Sequence, residues 1–334
     1  MAAALHQTQF AVRDYDLAAT LDSGQAFRWQ QRDGAWEGVI AGRWVRLCAS
    51  SSRREEALTC ESQISNLKSQ IDPRRITSTA TSEMESLITA HVATPGNDWR
   101  WLADYLQLDV DFPAVLASFP DDEPMRAAVT ACRGLRLLRQ EPWECLASFI
   151  LSSTKQIVQI RQIVALLCER FGAPVAVPPG HAAEFAFPDI ARLAACSEAE
   201  LRACKMGFRA PYLRETARAL LAGEVDLHRL HALPTAPARA ELLKLSGVGP
   251  KIADCVLLFA YDFQDAFPVD VWVRKALRQL YFPRRRVSEK RLARFSQTHF
   301  GPRAGYAQQY LFHYMRTQRA SGEQAALGTS SAPA

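Results

Sequence analysis

Two side chains in residues 244–272, KLSGVGPKIADCVLLFAYDFQDAFPVDVW, could do chemistry together: the amine of Lys251 and the carboxylate of Asp270. A lysine amine is a nucleophile when partial burial favours its neutral form. Each residue also has a plainer use. Lys251 falls in the first turn of the helix that begins after Gly249, where the helix dipole disfavours a cation. Helix stability therefore does not account for it, although a phosphate contact would. Asp270 precedes the apolar-periodic run VWVRKAL and reads as an N-cap, a role worth about 1 kcal/mol. A cap is anchored to the backbone and can still present a second oxygen to a site. Gly247 and Gly249 flank Val248 and allow a tight turn with φ > 0, and Pro250 suits the first helical turn. Backbone N–H groups at such a helix start favour a phosphate.

The elements that must carry these residues differ along the chain. Residues 8–48 are rich in aromatic and β-branched residues in short runs (QAFRWQQ, AWEGVI, RWVRLCA) separated by RDG and AG, the pattern of antiparallel hairpins. Trp29, Trp36 and Trp44 are expected in the core of that sheet. Residues 50–82 are polar and contain no aromatic residue, which marks an insertion of loop character with room for a short helix. After TPGNDWRWL the periodicity is helical: Ile157, Ile160, Val164 and Leu167 share one face, and Gly172 is placed to end that helix. The expected class is α+β, with an N-terminal antiparallel sheet domain (1–118) and a helical domain (119–318) that carries a hairpin at 239–262. A disordered tail is expected at 319–334, and there is no internal repeat.

The 334 residues are 48% apolar and 22% charged, an ordinary globular composition with enough chain for two domains. No apolar run approaches the ~20 residues of a membrane span, and the first residues lack a basic region followed by an apolar core. An intracellular protein with no membrane partner is expected. The eight cysteines are scattered without a C-x-x-C pair, so buried thiols are expected rather than zinc, iron–sulfur or disulfide frameworks. The net charge of +5 is small, but Trp272 to Arg303 holds ten cations against the single acid Glu289. Such a run is either a solvated face or a phosphate-binding surface.

The stretch LSGVGPKIADCVLLFAYDFQDAFPVDVW resembles the helix–hairpin–helix and following Pro-Val-Asp of the DNA glycosylase superfamily, and is most similar to the 8-oxoguanine DNA glycosylase/lyase family. The similarity extends, in family order, to SGQAFRW at 23–29, FILSSTKQIVQIRQIVALLCERFG at 149–172, MGFRAPYL at 206–213 and GYAQQYLF at 305–312. It implies a bifunctional enzyme that removes 8-oxoguanine from duplex DNA in base excision repair and then cuts the strand. Lys251 would attack the sugar C1′ and form a Schiff base, and Asp270 would help deprotonate it and stabilise positive charge on the sugar. The Gly24 carbonyl would accept the N7–H that distinguishes the lesion from guanine, Phe312 and Cys255 would sandwich the flipped base, and Gln308 would read its Watson–Crick edge. Thr154, Phe208 and Arg209 would lie at the gap left by the base, with Gly247, Gly249 and Arg274 on the DNA backbone. No metal cofactor is implied, only a possible structural monovalent cation at the hairpin. A monomer associated with DNA, in cytoplasm and nucleoid or in a nucleus, is expected.

Four positions depart from the eukaryotic pattern. Thr154 stands where an asparagine fills the gap, Gln159 where an arginine contacts the orphaned cytosine, Trp272 where histidine is usual, and Met315 where an aspartate follows the pocket phenylalanine. Loss of one arginine implies a weaker preference for cytosine opposite the lesion. The other readings are a related glycosylase for another damaged base and a hairpin scaffold that binds DNA without cutting it. No cysteine follows Cys255, which speaks against the four-cysteine cluster of endonuclease III and adenine glycosylases, and Lys251 speaks against alkylation-repair enzymes.

Overall fold

In the structure, a computed structural model, residues 5–51, 85–94, 96 and 98–328 are described. Five antiparallel strands, β1 (His6–Arg13), β2 (Gln30–Arg32), β3 (Ala35–Ile40), β4 (Arg43–Ser51) and β5 (Glu85–Val92), form one sheet in the order β1-β5-β4-β3-β2. The two hairpins turn on Asp33-Gly34 (φ 47° and 73°) and Ala41-Gly42 (φ 46° and 74°), where two consecutive positive φ values match the right-handed twist of the flanking strands. Most of the polar insertion, from residue 52 to residue 84, lies outside the described residues.

One core forms under this sheet. Trp29, Val45, Leu47 and Ile88 are buried there with Leu102, Leu106 and Leu138, and Trp36 is only half-buried at its edge. Trp44 is buried apart from this core, edge-on to His181 at 5.2 Å between centroids. Trp29 Nε1 donates to Tyr105 Oη at 2.9 Å, which satisfies the one polar atom of the largest buried ring.

The helical part surrounds the helix Pro142–Leu151, whose residues from Cys145 to Leu151 are all buried. Against it packs the helix Pro250–Tyr261, with Phe149 and Phe259 stacked at 5.6 Å between centroids. Phe27, which follows the first helix Leu17–Asp22, crosses into this core and meets Phe149 edge-on at 5.5 Å. The two cores therefore touch beside the SGQAF turn. The helix expected from the 157–167 periodicity spans Ile157–Phe171 and ends at Gly172.

The tail is a correction. The last helix runs from Ala304 to Gly328, through a segment expected to lack structure. Its Arg, Gln, Glu, Ala and Leu residues are strong helix formers that can continue an existing helix without the cost of a new nucleus, and the polar composition hid this. Residues 329–334 lie outside the described residues. The seven described cysteines are free and six of them buried. Among the described residues, no helix is long and apolar enough to cross a membrane.

Candidate active site

The hairpin fixes Lys251. The helix Thr235–Leu242 leads through Leu245, Gly247 and Val248 to Gly249, the N-cap of Pro250–Tyr261. Gly247 has φ +75° and approaches Tyr212 so closely that a Cβ would stand 2.7 Å from that of the tyrosine. Glycine is required there for both reasons. The two hairpin helices are tied by Arg239 Nε to Asp254 Oδ1 at 2.6 Å. Lys251, in the first turn, is half-buried: its Nζ donates to Ser152 Oγ at 3.3 Å and lies 4.9 Å from the Phe149 ring centroid.

Asp270 is the N-cap of Val271–Ala276, accepting the Val273 N–H at 2.7 Å through Oδ1. Burial pushes its carboxyl above the ordinary value, against the pull of the Val273 N–H and the charges of Lys251 and Arg274. The capping reading is thus correct, and the same residue also faces the cavity that contains the amine.

That cavity has two parts. An inner pocket is lined by Gly24, Phe149, Lys251, Cys255, Gln308 and Phe312, with Asp270 at its edge. It opens into an outer cavity of about 500 Å³ to which Ser152, Lys155, Ile157, Trp272 and Arg316 contribute. Six residues singled out from the sequence, Gly24, Lys251, Cys255, Asp270, Gln308 and Phe312, therefore converge from distant parts of the chain. The Cys255 thiol is pushed up to about 12 by burial, opposed by Lys251, so it lines the pocket as a neutral group. Gln308 is buried, and its Oε1 has no hydrogen-bond partner among the described residues. A buried acceptor left open in this way costs about 1–3 kcal/mol until something donates to it.

Gly24 takes φ +79°, and a Cβ there would lie 2.6 Å from Ile157 Cδ1. The neighbouring backbone is held on both sides. Gln25 Nε2 reaches Thr20 O (2.9 Å) and Arg136 O (2.8 Å), while its Oε1 accepts Leu138 N–H (2.8 Å) and its carbonyl accepts Gln140 Nε2 (2.7 Å). Gln309 Nε2 donates to Ser23 O at 3.2 Å. Gln25, Gln309, Ser152, Phe149 and Arg316 were not singled out in the sequence. The adjacent glutamines in SGQAF and YAQQY were the available signal for the first two.

The remaining candidates lie outside these cavities. Thr154 is exposed with φ +57°, and its Oγ1 accepts from Arg209 Nη2. Arg209 is 2% exposed, donates from Nη1 to Met206 O at 3.2 Å, and has the Phe208 ring 4.2 Å from its guanidinium carbon. Phe208 itself is 52% exposed, enough free ring to act outside the protein. Gln159 Oε1 accepts the Gln156 N–H and closes the capping box of its helix. Arg274 pairs with Glu289 at 3.1 Å, and Arg278 with the same carboxylate at 2.6 Å. Arg284, Arg285, Arg286, Lys290, Arg291 and Arg294 are exposed around them.

Comparison with known proteins places this geometry. Residues 7–146 match the family model of the 8-oxoguanine DNA glycosylase N-terminal domain, and residues 147–302 that of the HhH-GPD superfamily base excision DNA repair protein. A probable N-glycosylase/DNA lyase of Methanothermobacter thermautotrophicus is 29% identical over 326 residues, covering 91% of this chain and 95% of that protein. The structure of MBOgg1 in complex with a low-affinity DNA ligand superposes with a TM-score of 0.76 at 30% identity, covering 93% of this chain and 96% of the other. The Clostridium acetobutylicum 8-oxoguanine glycosylase/lyase, in complex with duplex DNA containing cytosine opposite 8-oxoguanine, gives 0.77 at 27% identity, with 95% and 99% covered. With both halves matched in order and a solved relative at 30% identity covered almost end to end, the chain belongs to the 8-oxoguanine DNA glycosylase family of helix–hairpin–helix base excision repair proteins.

Proposed function

We propose that this protein excises 8-oxoguanine from duplex DNA and then cleaves the strand at the resulting site, with Lys251 as nucleophile. The observation that carries the reading is the convergence of Lys251, Asp270, Gly24, Cys255, Gln308 and Phe312 on one pocket. The flipped base, extruded at a cost of a few kcal/mol, would stack between Phe312 and Cys255. Its Watson–Crick edge would donate to the open Oε1 of Gln308. The Gly24 carbonyl would accept N7–H. Guanine offers a lone pair there, so the wrong base leaves a buried acceptor unpaired and repelled.

The neutral amine of Lys251 attacks C1′, the N-glycosidic bond breaks, and the base leaves with the bonding pair and takes up a proton. Asp270, ionised, stabilises positive charge on the sugar and accepts a proton from the attacking amine. Loss of the second amine proton and opening of the sugar give the imine between Nζ and C1′. The imine acidifies the C2′ proton, and its removal expels the 3′ phosphate by β-elimination. An oxygen or sulfur nucleophile at position 251 could form no imine, which is why the residue type matters.

Thr154 and Phe208 would face the gap in the duplex, Arg209 would reach it by leaving its buried contacts with Thr154 Oγ1 and Met206 O, and the basic stretch 272–303 would supply salt-dependent phosphate contacts. The enzyme would act on DNA as a monomer inside the cell. A monovalent cation at the hairpin would be held by turn carbonyls, of which Leu245 O and Ser246 O already accept hydrogen bonds. No step passes through it.

Borohydride trapping on duplexes with 8-oxoguanine opposite each of the four bases, beside an undamaged duplex, tests the reading. A covalent adduct confined to lesion duplexes, and lost in Lys251→Gln, is the expected result. Base release without an adduct would remove Lys251 from its role. Neither adduct nor release would turn the reading to another lesion or to a binding scaffold.

A further inference from the structure

The two parts of the cavity differ in charge. The inner pocket, apart from Lys251 and Asp270, is lined by apolar side chains, a thiol and amides, which suits a neutral base, although its volume of about 40 Å³ admits a purine only once those side chains part. The outer cavity carries three cations, Lys155, Lys251 and Arg316, against the single carboxylate of Asp270. Lys251 and Asp270 line both parts, so the sugar belongs at the boundary and the next group outward along a nucleic-acid chain is its phosphate.

Arg316 is held in place without an ion pair of its own, although the carboxylates of Asp22 and Asp270 are near enough to attract it. Its guanidinium carbon lies 5.6 Å from the Phe312 ring centroid, and Nη1 donates to the main-chain carbonyl of Asp22 at 3.2 Å. The Asp22 carboxylate makes its close contact with Arg161 Nη2 at 2.6 Å and attracts Arg316 only from farther off. Arg316 thus rests on a ring face and a neutral carbonyl while lining an open cavity. A guanidinium in that state gains most from a doubly acceptor oxyanion such as a phosphodiester.

We propose that Arg316, with Lys155 on the same mouth, grips a phosphate flanking the flipped nucleotide and so holds the sugar against Lys251. The inference rests on the glycosylase reading for the position of the sugar, and requires no particular base. Arg316 comes from the helix Ala304–Gly328, Lys155 from the turn before Ile157–Phe171, and Asp22 from the end of the first helix. Arg316 already joins two of these segments through Asp22 O, and a phosphate shared with Lys155 would tie in the third.

The test measures binding of the full chain to a duplex bearing a tetrahydrofuran abasic analogue at several salt concentrations. Because no base is read, a failure to excise 8-oxoguanine would leave this experiment intact. Arg316→Gln should lower the magnitude of the slope of log K against log salt by about 0.9, so that its deficit against wild type narrows about threefold from 50 to 200 mM salt. Arg316→Lys should restore the slope. A neutral methylphosphonate at one phosphate beside the analogue should weaken wild type and add nothing to the Gln variant. An unchanged slope in Arg316→Gln overturns the proposal, as does a methylphosphonate scan in which every flanking position costs both proteins equally. Should the Gln variant fail to fold, the scan on wild type alone decides, since no loss at either flanking phosphate also overturns it. A fall in single-turnover rate with slope and scan unaltered would mark Arg316 as a packing residue only.

Discussion

Alanine at Gly24 separates backbone strain from recognition. With φ at +79°, a Cβ costs roughly 1–2 kcal/mol from the backbone alone. The added atom would stand 2.6 Å from Ile157 Cδ1 and 3.4 Å from both Arg316 Nη1 and Phe312 Cε1. Ile157 Cδ1 is the end of a flexible side chain and can swing into the outer cavity. The loop has less freedom, because Gln25 is bonded through both its amide ends and Ser23 O is held by Gln309. Strain and displacement together should lower the unfolding temperature by several degrees, at roughly 2–4 °C per kcal/mol for a domain of 150–250 residues. If the Gly24 carbonyl reads N7–H, losing that contact removes about 1–3 kcal/mol of discrimination, or about 5–150-fold. Single-turnover excision of 8-oxoguanine and of guanine from otherwise identical duplexes gives the ratio directly. Ile157→Ala in the same chain should recover the part due to collision and leave the part due to φ. A destabilised Gly24→Ala protein with the wild-type ratio would refute the reasoning, since the carbonyl would then not be the reader.

Asp270→Asn keeps a good N-cap, and because burial raises the folded carboxyl above its unfolded value, the ionised side chain weakens the fold as pH rises through that value. The Asn protein should be at least as stable as wild type at neutral pH while excision falls by about 10²–10³-fold, and wild-type excision should decline as acid protonates Asp270; a stable, fully active Asn protein would remove the carboxylate from the chemistry. Thr154 holds a β-branched side chain at φ +57°, so Thr154→Asn should relieve about 1 kcal/mol in thermal unfolding and, if the residue faces the gap left by the base, sharpen the preference for cytosine in a four-partner cleavage assay. His181 Nε2 meets the buried Glu37 at 2.9 Å, and although burial opposes the charge, this contact raises the imidazolium above its ordinary range. Its contribution is complete below the unfolded value and lost as pH rises through the folded one, so melting curves of wild type and His181→Gln should differ most in mild acid and converge in alkali.

Hairpin turns and the long amphipathic helix were legible because each is written in adjacent residues, whereas of the three tryptophans expected in the core of the sheet only Trp29 is fully part of it. Asp33-Gly34 announces its turn, and Ile160, Val164 and Leu167 announce one face. The Lys251–Asp270 pair was legible for the same reason, lying within one hairpin and its exit. Arg316 was not, because what matters about it is that Asp22 is already taken by Arg161, a fact of three segments in space. Gln25 likewise looks like an ordinary polar residue in a turn until Arg136, Leu138 and Gln140 arrive to surround it. The helix 319–328 was missed for an opposite reason, since composition argued against it while continuity with the preceding turns favoured it.

The pocket combines groups left wanting with a hydrogen-bonded frame around them. Gln308 Oε1 is buried without a donor, Asp270 is a carboxylate held where burial disfavours its charge, and Arg316 rests on a neutral carbonyl. Each would find a partner if its segment moved by an ångström or two. The closed hydrogen bonds of Gln25, the tie from Gln309 to Ser23, the Asp270 cap and the Arg239–Asp254 tie all oppose that movement. The free energy withheld in this way is released only when a base with the right donors, a sugar and a phosphate arrive together. On the proposed roles, guanine would satisfy Gln308 and Arg316 but not Gly24, so its deficit would fall at a backbone flanked by the hydrogen bonds of Gln25 and Gln309. Loosening that frame, through Gln25→Leu for instance, should therefore cost discrimination before it costs DNA affinity.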